Sequence, residues 1–212
     1  MMKRKTTLSH PAWTSTLIVL VTLGALLATT GVSGEETPPK STIQKAQAVE
    51  LEGVPNLYKV SESLYRSAQP SEKGMANLSR LGIKTVLSLR SLHSDRSKIS
   101  RTGLAYERIP MTPVHPEYED VVKFLKVVTD PKQTPVIVHC KHGADRTGTT
   151  VAIYRIVVQG WTKEEAINEM TEGGFGFHKI FAGLPVFVRE LDVEKLKKDA
   201  GLAPSPPQNE NK

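Results

Sequence analysis

The sequence holds one cysteine, Cys140, in the stretch "HCKHGADRTGT", residues 139 to 149. Arg146 follows six residues later, Gly143 lies between, and Thr147 and Gly148 come directly after. Residues of these types at this spacing can build an anion site with a nucleophile at its floor. A planar guanidinium grips two phosphate oxygens through parallel N–H donors, which lysine cannot do. Glycine permits a tight backbone path closed to other residues. A thiol among such donors is favoured as the thiolate, the form that attacks phosphorus. The plainer reading of Cys140 is a small buried apolar residue that happens to lie near Arg146.

The flanks favour the site. "PVIVH" before the loop is a continuous β-branched run, the pattern of a strand buried on both faces. "TGTTVAIYRIVVQ" after it reads as a helix. The order strand, short loop, helix places Cys140 at the carboxyl end of a central strand, where open α/β sheets bind ligands. Unpaired N–H groups of the loop and first helical turn, with the helix dipole, attract an anion there. The Thr147 hydroxyl is placed to donate to the thiolate. His139 is expected to hold the loop through its backbone. Lys141 and His142 either receive further anionic groups or are exposed loop residues.

The elements that must position this loop alternate along the chain. "NLYKV" and "SLYRS" read as a hairpin of short strands. Ser71 caps a helix to Leu81 that Gly82 ends. "KTVLSL" and "LAYERIP" are strands, and "EYEDVVKFLKVVTD" sets Val121, Val122, Leu125 and Val128 on one helical face. "TKEEAINEMT", with Thr162 as cap, and "LPVFVRELDVEKLKKD" complete the helices. Strands alternating with helices predict an α/β fold with a mainly parallel central sheet and helices on both faces.

Domain organisation follows from the tails. Lys3, Arg4 and Lys5 precede the apolar run Leu17–Ala28, and Val32, Ser33 and Gly34 offer small residues for cleavage. That run suits an export signal and is short of the ~20 apolar residues that span a bilayer comfortably. Residues 1–34 are therefore read as a signal peptide, with an uncleaved anchor over residues 12–34 as the alternative. Residues 35–53 are read as a polar linker, 54–202 as the folded domain, and 203–212 as a disordered tail. A periplasmic or extracellular place follows, or an inner-membrane anchored one. There a lone free thiol is a liability unless it has a chemical role. The formal charge is +6, of which three come from Lys3, Arg4 and Lys5. No arginine-rich stripe argues for nucleic acid, and no His/Cys/Asp cluster has metal-ligand spacing. No cofactor is expected, and a monomer is.

"HCKHGADRTG" resembles the HC-x5-R-[ST]-G signature of cysteine-based tyrosine and dual-specificity phosphatases. "LYRSAQP", "LGIKTVLSLR" and "PVIVHCKHGADRTG", in that order, look like the plant and fungal atypical dual-specificity phosphatases and their bacterial relatives. The resemblance implies the dual-specificity-phosphatase fold and hydrolysis of a phosphorylated protein or a small molecule such as an inositol phosphate. It implies Cys140 as nucleophile, a thiophosphate intermediate, and a cradle built from Lys141, His142, Gly143, Ala144, Asp145 and Arg146. The family also carries an aspartate general acid upstream of the cysteine. The corresponding window here, "YERIPMTPV", holds Glu107 and no aspartate. The remaining acids are Asp145, Asp95, Glu117, Glu119 and Asp120, with Asp145 first because it sits on the cradle. Arg66 is expected in a structural ion pair, Arg90 and Arg96 in a solvated loop, and "GGFGFHKIF" as an ordered turn with its Phe residues inward. A phosphate-binding module without turnover is the alternative function, and the gap at the expected acid is its support.

Overall fold

The computed structural model describes residues 44–202. The signal or anchor segment, the first part of the linker and the tail from residue 203 lie outside the described residues. At the centre runs β6, Val136–His139, all four residues buried. It pairs in parallel with β3, Leu64–Ser67, on one side and β4, Thr85–Arg90, on the other. Beyond β4 lies β5, Ala105–Met111, also parallel. Beyond β3 come β2, Tyr58–Lys59, and β1, Gln47–Ala48, both antiparallel. The sheet order is β1-β2-β3-β6-β4-β5. His139 is in register with Ser67 on one side and Ser88 on the other. Strands β3 and β6 thus end level, β4 runs two residues further to Arg90, and Cys140 leaves the sheet between Ala68 and Leu89.

Strand alternation sorts the core into two layers. Val86 and Ile137 face a layer with Met75 and Leu78 of α1, Glu72–Arg80, and Ile99 of α2, Arg96–Ile99. Leu87, Val136 and Val138 face the other layer. That layer holds α3, Tyr118–Thr129, α4, Asp145–Gln159, and α5, Lys163–Glu172. It also holds α6, Gly183–Glu190, and α7, Val193–Asp199. Helix α4 packs against α3, α5, α6 and α7, and twelve of its fifteen residues are buried. The architecture is the expected one, with helices on both faces of a mainly parallel sheet. Among the described residues, no helix is long and apolar enough to cross a membrane.

Five local features differ from the expectation. Gln47–Ala48, inside the stretch read as linker, adds an edge strand. Helix α2 and a 3-10 turn at Lys179–Phe181 stand where no helical period shows. Helix α4 starts at Asp145, two residues ahead of Thr147. The last helix is two, because Leu191 turns extended and Asp192 accepts from Lys195 N–H as a new N-cap. Lys163 Nζ takes the freed carbonyls of Arg189 and Leu191 at 2.6 and 2.7 Å, which satisfies the end of α6.

Helices α4 and α5 are joined by a buried ion pair. Arg155 Nε and Nη2 each lie 2.8 Å from a Glu169 oxygen. Arg155 also donates to Val60 O and covers the Trp161 ring. Removing one buried partner strands the other charge. Glu169→Leu is expected to cost about 3–5 kcal/mol in urea unfolding. The double variant Arg155→Met/Glu169→Leu should recover part of that loss.

Candidate active site

The loop after β6 bends because four successive carbonyls are pulled the same way. His139 Nδ1 lies 3.2 Å from Cys140 O. Gln69 N–H donates to Lys141 O at 3.3 Å. Asn56 Nδ2 donates to His142 O at 3.0 Å. Arg66 Nη2 donates to Gly143 O at 2.8 Å. In a trans peptide the N–H points opposite to the preceding carbonyl, so the N–H groups of Lys141, His142, Gly143 and Ala144 turn the other way. The Gly143 N–H does so onto Cys140 Sγ, at 3.3 Å. Helix α4 then adds the unpartnered N–H groups of its first turn. The result is a concave set of donors around a thiol that is only 2% exposed, an arrangement that binds anions.

Gly143 is required twice over. Its φ is +72°, and a Cβ there would lie 2.5 Å from Ala68 N and from Ser67 C. The loop therefore packs on the end of β3 at a distance open to glycine alone.

Beneath the loop the electrostatics are set by buried charges. Asp95 is fully buried, 3.4 Å from His139 Nε2, 2.7 Å from Gln69 Nε2 and 3.3 Å from Lys98 Nζ. Burial alone would push its carboxyl up. The His139 ring beside it, the Gln69 hydrogen bond and the Lys98 charge outweigh that and hold it well below the usual carboxylate range. Arg66, 1% exposed, has no carboxylate at ion-pair distance among the described residues, against the ion pair expected for it. Its guanidinium lies 3.7 Å over the Phe175 ring, and burial lowers its pKa to about 10, so it stays charged at neutral pH. Arg90 bonds Gln69 Oε1, and Arg96 lies over Tyr106.

Above the loop opens a cleft of ≈ 360 Å³. Lys141, His142, Asp145 and Arg146 line one side, and His178, Ile180 and Phe181 another, with Pro113. Arg146 Nη1 donates to Leu89 O at 3.2 Å and Met111 O at 3.4 Å, so the ends of β4 and β5 aim its fork. The expected bond from Thr147 to Cys140 is not made: Thr147 Oγ1 is buried and without a partner. Asp145 accepts the His178 backbone N–H at 2.9 Å and faces His178 Nδ1 at 2.9 Å. Glu107 is exposed on β5. Glu117 and Glu119 are exposed at the start of α3, and Asp120 pairs with Lys123. Neither they nor Asp95 line the cleft. His142, Asp145 and His178 bring one ligand atom each within 4.8 Å, a grouping that no spacing in the sequence reveals. Lys141, Arg146 and the α4 N-terminus beside it favour an anion over a cation.

Three residues have a part in the site that no motif assigns, although Gln69 lies in "LYRSAQP" and Phe175 in "GGFGFHKIF". Asn56 sits at φ 54° and donates both to His142 O and to Phe175 O, each at 3.0 Å. Gln69 joins Lys141 to Asp95, and Phe175 packs on Arg66. Only the tolerance of asparagine for left-handed backbone hints at the first.

Residues 38–182 match the family described as DSP-PTPase phosphatase fused to NAD+ Kinase. The chain belongs to this family, and it is a phosphatase of the protein-tyrosine and dual-specificity type. It is 39% identical over 190 residues to Dual specificity protein phosphatase TpbA of Pseudomonas aeruginosa, covering 88% of this chain and 84% of that one. It is 28% identical over 160 residues to Inositol diphosphatase DSP5 of Arabidopsis thaliana, covering 68% and 73%. The crystal structure of P. aeruginosa TpbA in complex with phosphotyrosine superposes with a TM-score of 0.67 at 35% identity, over 77% of this chain and 99% of that one.

The buried Asp95 makes a pH-dependent contribution to stability. Its folded pKa is depressed, so the contribution is complete above the unfolded value of about 4 and is lost as pH falls below it. Asp95→Asn is expected to cost about 2 kcal/mol at pH 7. In urea unfolding the gap between variant and wild type should narrow steadily below about pH 4.

Proposed function

We propose that this chain is an exported cysteine phosphatase that hydrolyses phosphomonoesters through a thiophosphate intermediate on Cys140. The observation that carries the reading is the set of N–H groups turned inward around Cys140 Sγ, one of them bonded to it. A phosphate in that cradle would present its phosphorus to the thiolate. The S–P bond forms as the P–O ester bond breaks, and the leaving oxygen takes a proton. Water then attacks phosphorus, the S–P bond breaks, and the thiolate returns with inorganic phosphate. Arg146 grips two of the non-bridging oxygens. The loop N–H groups, fixed before substrate arrives, stabilise the charge that builds on the others.

The substrate is a phosphorylated protein or an inositol-type phosphate, and we favour phosphotyrosine. Pro113, Ile180 and Phe181 give the cleft apolar walls suited to an aryl ester. A relative has been solved with phosphotyrosine bound, while another is named an inositol diphosphatase. Export rests on the basic N-terminus, the apolar run Leu17–Ala28 and the small residues Val32, Ser33 and Gly34 after it. Membrane contact, in this reading, is limited to an uncleaved N-terminal segment.

Residues 35–212 should hydrolyse p-nitrophenyl phosphate under reducing, metal-free conditions and be blocked by vanadate. Cys140→Ser should lower kcat by about 10⁴-fold or more, and Arg146→Lys by about 10²- to 10³-fold. Vanadate binding without turnover in the wild type would instead establish a phosphate reader. Phosphotyrosyl peptides should exceed inositol polyphosphates in kcat/KM, and the reverse order would reassign the substrate. An alkaline phosphatase reporter fused after residue 40 should be active only outside the cytosol, and an inactive fusion would refute export.

A further inference from the structure

We propose that His178, oriented by Asp145, is the catalytic residue that moves the proton in this reaction, in place of the family's upstream aspartate. The assignment rests on the phosphatase reading given above. An alkoxide leaving group needs a positioned acid, and such a group contributes about 10²- to 10⁴-fold. Among the described residues, Asp145 is the one carboxylate that lines the cleft. It is 8% exposed, and both oxygens are turned to His178. Asp145 is therefore a positioning residue, and the group it positions is the imidazole.

The imidazole is placed for the task. It is 46% exposed and shares the cleft with Arg146. With Nδ1 held at 2.9 Å from the carboxylate, Nε2 is the nitrogen left to exchange a proton. A carboxylate on one ring nitrogen fixes the tautomer and aims the other, a recurrent device for acid–base histidines. The ring is also confined sideways, 5.2 Å from His142 and edge-on to Phe181 at 6.3 Å. Its turn is tied to the cradle, since Asn56 bonds His142 O and Phe175 O together.

In the first step the S–P bond forms, the P–O bond breaks, and the leaving oxygen takes the proton from Nε2. In the second, Nε2 takes a proton from the attacking water while the S–P bond breaks. His178 thus ends as it began. The charged and titratable groups facing it are Asp145 and Arg146 from α4 and Lys141 and His142 from the loop.

The test is leaving-group dependence in the full chain. His178→Gln should lose at least about 30-fold more kcat on a phosphoserine peptide, a poor leaving group, than on p-nitrophenyl phosphate. Asp145→Asn should show the same selective loss, in smaller degree. The wild type should show an alkaline limb in kcat with phosphoserine, and His178→Gln should lack that limb. Equal losses on both substrates, or an unchanged alkaline limb, would overturn the assignment while leaving the phosphatase reading intact. A wild type that hydrolyses neither ester would overturn both.

Discussion

The cradle depends on peptide groups that would not choose this orientation unaided. Four adjacent carbonyls turned to one side bring their dipoles into mutual repulsion, and four N–H groups turned to the other do the same. The loop stays so because each carbonyl meets a polar partner, the neighbouring His139 ring for Cys140 and, from elsewhere in the fold, a backbone N–H, an amide and a guanidinium for the other three. The cost of converging the donors is met in the folded protein, before any anion arrives. Preorganisation of this kind is what lets fixed dipoles favour a charged transition state over water, which must reorient.

The sheet supplies the remaining order. Because β3 and β6 end in register while β4 and β5 run on past them, Arg66 of β3 reaches the loop, and the carbonyls of Leu89 and Met111 reach Arg146. Arg66 leaves β3 to reach the loop from below, and Arg146 leaves α4 to meet the ends of β4 and β5 from above. The two arginines do different work. The buried one shapes backbone, and the half-buried one is aimed into the cleft. Helix α4 can carry its load because nearly every residue is buried against neighbours, so its first turn cannot drift.

Much of this was legible in the chain. The β-branched run before Cys140, Gly143 and the helix after it located the loop and its edge of the sheet. Ser71 and Thr162 marked their helices because capping is local chemistry. What could not be read lay in long-range pairing. Asn56 and Gln69 act on residues more than seventy positions later, and neither has a spacing that marks it. Arg66 looked like an ion-pair residue, since charge suggests charge, yet its partners are a carbonyl and a ring. The last helix read as one because Asp192 fits a helical period while preferring a cap. Asp145 was noticed because it sits on the cradle. That it faces a histidine thirty-three residues on depends on the turn after α5 folding back.

Asn56 gives this architecture a further meaning, one of portability. The signature is short enough to look like a cassette, eleven residues that could be lifted into another α/β scaffold. The cassette would arrive without its supports. Asn56, Arg66 and Gln69 belong to the opening hairpin and the turn after it, and Phe175 to the segment beyond α5. Transplanted alone, the loop would be free to flip its carbonyls back toward the thiol, where they repel an anion. The unit that can be inherited, swapped or shortened is therefore the whole span from Asn56 to His178, and the chemistry travels only when both ends travel with it.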